Sequence, residues 1–118
     1  MKKILIVEDD FILTMINGKH LELMGHTVVG TATNGPDAIK AAKELQPEVI
    51  LMDVRLNGPM TGIEAMLEIS KFSSAYVIYL TGNTPKEFEE QTSKTKMLAF
   101  CSKPIHFEEL SKILDSIN

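Results

Sequence analysis

Four consecutive apolar residues, Val49-Ile50-Leu51-Met52, run straight into a carboxylate at Asp53. A short apolar run rich in branched residues, preceded by Gln46-Pro47-Glu48, reads as a strand buried on both faces. Strands of that kind belong to parallel sheets covered on each side by helices, so this segment points the chain to an α/β fold. Ligands of open parallel sheets collect beyond the carboxyl ends of the strands, which is where Asp53 falls. An Asp at a strand end is also an ordinary turn residue, so its meaning depends on what the rest of the chain places beside it.

The rest of the chain repeats the pattern. Residues 3–7 read as a first strand, followed at once by Glu8-Asp9-Asp10. A helix over residues 11–24 carries Leu13, Ile16, Leu21 and Met24 at helical spacing as its apolar stripe, and Gly25 supplies the stop. Asn17 and His20 fall on or near that stripe, and His20 reads as a hydrogen-bonded histidine at the helix margin without a role. A second strand over 26–32 leads through a turn into a helix over 36–45 with Ala38, Ile39, Ala41, Ala42 and Leu45 apolar, ended by Pro47. After the strand ending at Asp53 come a loop with Gly58, Pro59 and Gly62, and a helix over 61–72 that buries Ile63, Met66, Leu67 and Ile69. A fourth strand, 75–80, ends at Thr81-Gly82, and a fifth, 97–101, ends at Ser102-Lys103-Pro104. Between them residues 85–94 read as a nearly all-polar helix, with Phe88 its single large apolar residue and therefore only loosely held. A last helix over 107–117 turns Leu110, Ile113, Leu114 and Ile117 inward. Five strands alternating with five helices predict one doubly wound, five-stranded parallel α/β domain over residues 1–118, with no linker and nothing that looks like an attached output domain.

Composition closes several other routes. At 118 residues with 44% hydrophobic residues the chain fits one core. A net charge of −4 with scattered lysines provides no footprint for direct nucleic-acid binding. The N-terminal apolar stretch, Ile4 to Val7, is too short for a signal peptide or a membrane span, which implies a cytoplasmic protein with no membrane partner. The lone Cys101 cannot form an internal disulfide, and its apolar neighbours predict a buried, inert thiol. No CxxC, HExxH or paired-histidine spacing argues for zinc or a redox metal.

The predicted strand ends carry Glu8 and Asp9, Asp53, Thr81 and Lys103, and in one parallel sheet these would converge at one edge. Three carboxylates together repel and raise one another's pKa unless a cation sits among them. An all-oxygen cluster suits a hard ion such as Mg²⁺, and that ion with one lysine cancels the three negative charges. A phosphoryl group arriving there would meet cations on its oxygens and a hydroxyl donor, which is most of what phosphoryl transfer requires. An Asp can serve as the nucleophile, and Asp53 follows the most hydrophobic strand.

Taken in order, Ile-Leu-Ile-Val-Glu8-Asp9-Asp10, Val-Ile-Leu-Met-Asp53, Tyr-Leu-Thr81-Gly82 and Ser-Lys103-Pro104 resemble the receiver domain of two-component response regulators, of the single-domain chemotaxis-regulator kind, over essentially the whole chain. The resemblance implies a flavodoxin-like strand order 2-1-3-4-5. It implies Asp53 as phosphoacceptor, Asp9 as a direct Mg²⁺ ligand, Glu8 as a second-shell or water-mediated one, and the Arg55 backbone carbonyl as a further ligand. It makes Thr81 and Lys103 the phosphoryl-binding pair, Thr81 and Phe100 the switch residues, and the Lys103-Pro104 bond cis. Phe100 stands where the family has a rotating Tyr or Phe; a Phe packs and unpacks but cannot donate a hydrogen bond. The implied partners are a sensor histidine kinase or histidine phosphotransfer protein and a downstream protein target, read through the surface of the fourth helix, fifth strand and last helix. Phosphorylation-dependent homodimerisation through the fourth-helix face fits the resemblance, and no sequence feature decides it. The activity implied is self-catalysed transfer with slow autodephosphorylation, not turnover of a substrate.

Some positions depart from the commonest family pattern. Glu8 replaces a more frequent Asp, the loop from Asp53 to Gly62 is one residue longer than in the simplest members, and Thr61 stands where an Asp often precedes the glycine. Ser93-Lys94-Thr95-Lys96 lacks a Gly-Ala pair usual before the fifth strand, and Arg55 and Asn83 occupy positions that in the family influence phosphoryl lifetime. Two other readings remain at this stage. An Asp-nucleophile phosphatase of the haloacid-dehalogenase type would use the same ion, but carries a second Asp two residues after the nucleophile, where this chain has Arg55. A receiver-like module that is never phosphorylated normally lacks one of the key groups, and all of them are present.

Overall fold

The computed structural model describes residues 1–82 and 92–117. Within them lie five strands, β1 (Lys3–Val7), β2 (Thr27–Ala32), β3 (Val49–Asp53), β4 (Tyr76–Thr81) and β5 (Met97–Ser102). Four helices accompany them: α1 (Phe11–Leu23), α2 (Gly35–Leu45), α3 (Gly62–Ile69) and α4 (Phe107–Asp115). All strand pairs are parallel, in the expected order β2-β1-β3-β4-β5. Four helices rather than five stand among the described residues, because most of the one expected over 85–94, residues 85–91, falls outside them.

Strand β3 is buried at every position, as its unbroken apolar run requires. Side chains alternate across the sheet, so each strand feeds two cores. Ile4, Ile6, Val49, Leu51, Ile78 and Leu80 pack with Leu21 of α1 and with Leu110 and Leu114 of α4. On the other face Leu5, Val7, Ile50, Met52, Val77 and Tyr79 pack with Ala38 and Ala42 of α2 and with Ile63, Met66 and Ile69 of α3. The small residues of α2 let it lie close to the sheet. Local signals set the helix ends: Asn34 caps α2 through the Asp37 amide, Gln46 closes it in the left-handed region, and Gly25 takes a φ of 92° just past α1. The described part of the chain holds no helix long and apolar enough to cross a membrane.

Helix α1 corrects the sequence reading. Ile16, assigned to the inward stripe, is 45% exposed, while Asn17 is buried beside it in sequence. Phe11, Ile12, Met15 and Leu23 are also exposed, so α1 is apolar around most of its circumference and periodicity alone does not single out its buried side. His20 likewise differs: its Nδ1 is buried with no hydrogen-bond partner, and its ring stands edge-on to Phe107 at 5.3 Å between centroids. Cys101 is buried as expected, and burial pushes its thiol up to about 11.

The revised orientation of α1 has a direct test. Leu21, 1% exposed, should cost about 2–5 kcal/mol when changed to Ala, whereas Ile16→Ala should stay within about 0.5 kcal/mol. Urea unfolding of both variants measures this, and a large loss at Ile16 would contradict the orientation described.

Candidate phosphoryl-transfer site

The strand order reverses direction at β1 and β3, and in open parallel sheets that is where ligands gather beyond the carboxyl ends of the strands. Register places the two strands level there, Val7 opposite Met52, so the next residues, Glu8 and Asp53, come out side by side. The Glu8 amide is held by the Ala32 carbonyl at 2.9 Å, and the Lys103 amide by the Thr81 carbonyl at 2.8 Å. Both tethers extend the sheet's hydrogen bonding one step past its edge. The Lys103 ammonium then reaches Glu8 Oε1 at 2.8 Å, Glu8 Oε2 at 3.0 Å and Asp53 Oδ2 at 2.8 Å. Glu8 and Asp53 are both buried. Asp9, exposed, completes a group in which one carboxylate oxygen from each of Glu8, Asp9 and Asp53 lies within 4.8 Å of the others. This all-oxygen, partly open set fits a small hard cation that keeps some of its water. The third acid of the run does something else: Asp10 caps α1, accepting from the amides of Ile12 at 2.9 Å and Leu13 at 3.2 Å.

Asp53 is fixed by the loop that follows it. Its Oδ1 accepts the Arg55 amide at 3.1 Å, the Val54 amide donates to the Leu80 carbonyl at 2.9 Å, and the Gly62 amide closes back on the Val54 carbonyl at 2.8 Å. That closure brings the start of α3 against the backbone of Asp53. A Cβ on Gly62 would overlap the Asp53 carbonyl oxygen and stand 2.9 Å from Met52 Cγ, so only glycine fits. Thr61, the departure from the family pattern, caps α3 in a reciprocal box: its hydroxyl takes the Glu64 amide at 3.1 Å and Glu64 takes the Thr61 amide at 2.8 Å. The longer loop turns at Gly58, with a φ of 92°, and forms a lone bridge between Asn57 and Asn34.

Thr81 is buried at the end of β4, and the Lys103-Pro104 bond is cis as expected. Phe100 sits apart from the carboxylates, half-buried against Tyr79 with 5.6 Å between ring centroids. Glu8, Asp9, Asp53 and Lys103 are thus brought together, Thr81 stands at the neighbouring strand end, and Arg55 meets Asp53 through its backbone. Sequence reasoning missed Gly62 as the residue that lets α3 close on Asp53, and missed the direct Glu8–Lys103 pairing. A glycine after a capping threonine is the signal that was available for the first.

One ammonium serves two buried carboxylates, so with both ionised one negative charge would be left uncompensated. Burial, followed by hydrogen bonding and charge repulsion from Asp53, pushes the Glu8 carboxyl up to about 8 despite the pull of Lys103. Burial acts against the Lys103 charge, but its bonds to Asp53 and Glu8 outweigh that and hold the ammonium above its ordinary value. Between about pH 4.5 and 8 the unfolded chain releases the Glu8 proton while the folded one keeps it. Stability of the metal-free protein should therefore fall as pH rises through that window, by at most about 1.4 kcal/mol per pH unit. Glu8→Gln should flatten the slope, and urea midpoints in the presence of a chelator at pH 5, 6.5 and 8 would show it; an unchanged slope would place the proton elsewhere. Gly62→Ala should lose about 1–3 kcal/mol through overpacking against Asp53, read as a lower urea midpoint, and a neutral result would refute the close approach.

Comparison with known proteins agrees with this geometry. The family model described as response regulator receiver domain matches residues 4–115. The chemotaxis protein CheY of Thermotoga maritima is 30% identical over 118 residues, covering 99% of this chain and 95% of that protein. The transcriptional regulatory protein PdtaR of Mycobacterium tuberculosis is 28% identical, and the chain spans 53% of its length. Among solved structures, the response regulator domain of Thermotoga maritima CheB superposes with a TM-score of 0.81 at 27% identity, covering 97% of this chain and 90% of that one. A match over nearly the full length, to both sequences and folds of one kind, leads to a single conclusion: the chain belongs to the response regulator receiver domain family of two-component systems.

Proposed function

We propose that residues 1–118 act as one receiver domain that takes a phosphoryl group onto Asp53 from a phosphohistidine of a sensor kinase or histidine phosphotransfer protein. The observation that supports this most directly is the Lys103 ammonium held at 2.8 Å to Asp53 and to Glu8, with Asp9 completing the acidic group. An Asp53 oxygen bonds to phosphorus while the bond from phosphorus to the donor imidazole nitrogen breaks, and the imidazole keeps the electron pair. Mg²⁺ held by Asp9, Asp53 and the Arg55 carbonyl, with Glu8 acting through water or from behind the direct ligands, would supply positive charge to the phosphoryl oxygens. Lys103 pairs with those oxygens, and the Thr81 hydroxyl donates to one of them. Burial of Asp53 keeps bulk water from the nucleophile before transfer. The exposed Phe11, Ile12, Met15 and Ile16 lie on the helix that starts two residues after Asp9. Such an apolar face beside the site suits a protein donor better than a small phosphate ester. The response to phosphorylation is carried by Thr81 and Phe100 to a downstream protein in the cytoplasm, and the chain has no substrate turnover of its own beyond slow loss of the phosphoryl group.

Intact-protein mass after incubation with acetyl phosphate tests the assignment. The chain should gain one phosphoryl group in the presence of Mg²⁺ and not with a chelator, and Asp53→Asn should gain none. Gain by the variant, or none by the folded wild-type chain from either acetyl phosphate or a phosphorylated kinase, would remove Asp53 from this role.

A further inference from the structure

A second polar connection lies on the opposite face of the sheet from the carboxylates. Tyr79, fully buried on β4, places its hydroxyl 3.1 Å from Thr95 Oγ1. The Thr95 hydroxyl sits 2.7 Å from the Thr92 carbonyl and donates its single proton there, so the phenol must be the donor to Thr95. Burial pushes the phenol up to about 12, which keeps that proton in place throughout the ordinary pH range. The same turn is closed by the Thr95 amide on the Thr92 carbonyl at 3.0 Å, and it leads into β5 through the Met97 amide on the Thr95 carbonyl at 2.9 Å.

The Tyr79 ring is also the neighbour of Phe100. The two residues are partners in the β4–β5 register, and their rings are tilted by 38° at 5.6 Å. Thr81 follows Tyr79 by two residues and so leaves β4 on the same face. Tyr79 therefore touches Phe100 with its ring and the 92–95 turn with its hydroxyl, one strand step from Thr81. Phe100 has no polar atom on its side chain and can pass on a rearrangement only by packing. A buried phenol cannot drop its partner without a penalty, so a shift of its ring is passed to Thr95 or resisted by it.

We propose that Tyr79 is the positioning residue that couples the Thr81 and Phe100 end of the site to the 92–95 turn, through the hydrogen bond from its phenol to Thr95. This rests on the reading that Asp53 is phosphorylated and that Thr81 and Phe100 respond.

The test combines two independent readouts on wild type, Tyr79→Phe and Thr95→Val, each with and without acetyl phosphate and Mg²⁺. Intact mass reports whether Asp53 is phosphorylated, and amide hydrogen exchange at Thr95 and Met97 reports the turn. In wild type, phosphorylation should change protection at those amides about fivefold or more, the scale of one hydrogen bond. In either variant the mass gain should persist while that change shrinks below about twofold. Thr95→Val removes the same bond, and with it the Thr95 hydroxyl's own bond to the Thr92 carbonyl, while leaving the aromatic core intact. If Tyr79→Phe does not fold, Thr95→Val therefore decides the matter through the change on phosphorylation and not through the resting level of protection. A phosphorylated wild type with no change at the turn would overturn the coupling and leave the acceptor assignment standing. So would variants that keep the full change, or that lower protection equally in both states as a purely structural bond would. Absence of any mass gain in wild type would overturn the acceptor assignment and the coupling together.

Discussion

A lysine that must neutralise two buried carboxylates holds the carboxyl end of this sheet together. Lys103, Glu8 and Asp53 come from segments distant in sequence, and each would be costly to bury alone. Their pairing ties the ends of β1, β3 and β5 to one point, yet it leaves the account of charge unbalanced, since two carboxylates face one ammonium and Asp9 adds a third acid nearby. A site built in this way is stable enough to fold and still short of positive charge. That deficit is what a divalent cation would relieve, and burial, together with the neighbouring Asp53, raises the Glu8 carboxyl.

The frame around the site is rigid where the chemistry needs it. Asp53 is held by its own strand, by the Arg55 amide and by a loop whose two ends are joined through Val54 and Gly62. The capping box at Thr61 and Glu64 then sets where α3 begins. Thr61 serves the helix, with its hydroxyl on the Glu64 amide, and takes no part in the carboxylate cluster. By contrast α1 contributes little more than one side to the core and leaves Phe11, Ile12, Met15 and Ile16 outside. An apolar surface of that extent beside a charged crevice is costly in water and fits an interaction surface.

The sheet and the charged cluster were legible because their signals are local. Unbroken apolar runs that end in Glu8, Asp53 and Thr81 need only strand geometry and the parallel order to be brought together. Helix α1 was less legible for a physical reason: with Phe11, Ile12, Met15 and Ile16 all apolar, the side turned inward is decided by what it packs against, and Asn17 is buried where spacing favoured Ile16. The Gly62 contact depends on the path of a loop, and the Tyr79 hydrogen bond on a turn sixteen residues away; neither leaves a periodic trace. Most of the helix expected over 85–94 lies outside the described residues.

Strand parity explains how the charged and the aromatic side chains are kept apart in so small a fold. Ile4, Ile6 and then Glu8 share one face, as do Val49, Leu51 and then Asp53, and Cys101 followed by Lys103. The charged groups are the top layer of the core shared with α1 and α4, one step beyond its last apolar side chains. Val77, Tyr79 and then Thr81 belong to the other face, shared with α2 and α3, and Phe100 packs there too. Because side chains alternate with period two, no residue on a strand can serve both layers. A backbone link between the two layers at this edge is at Thr81, whose carbonyl holds the Lys103 amide and whose strand carries Tyr79. At the end of β4 the two layers thus meet through the backbone, while the Thr81 side chain follows Tyr79 on the aromatic face.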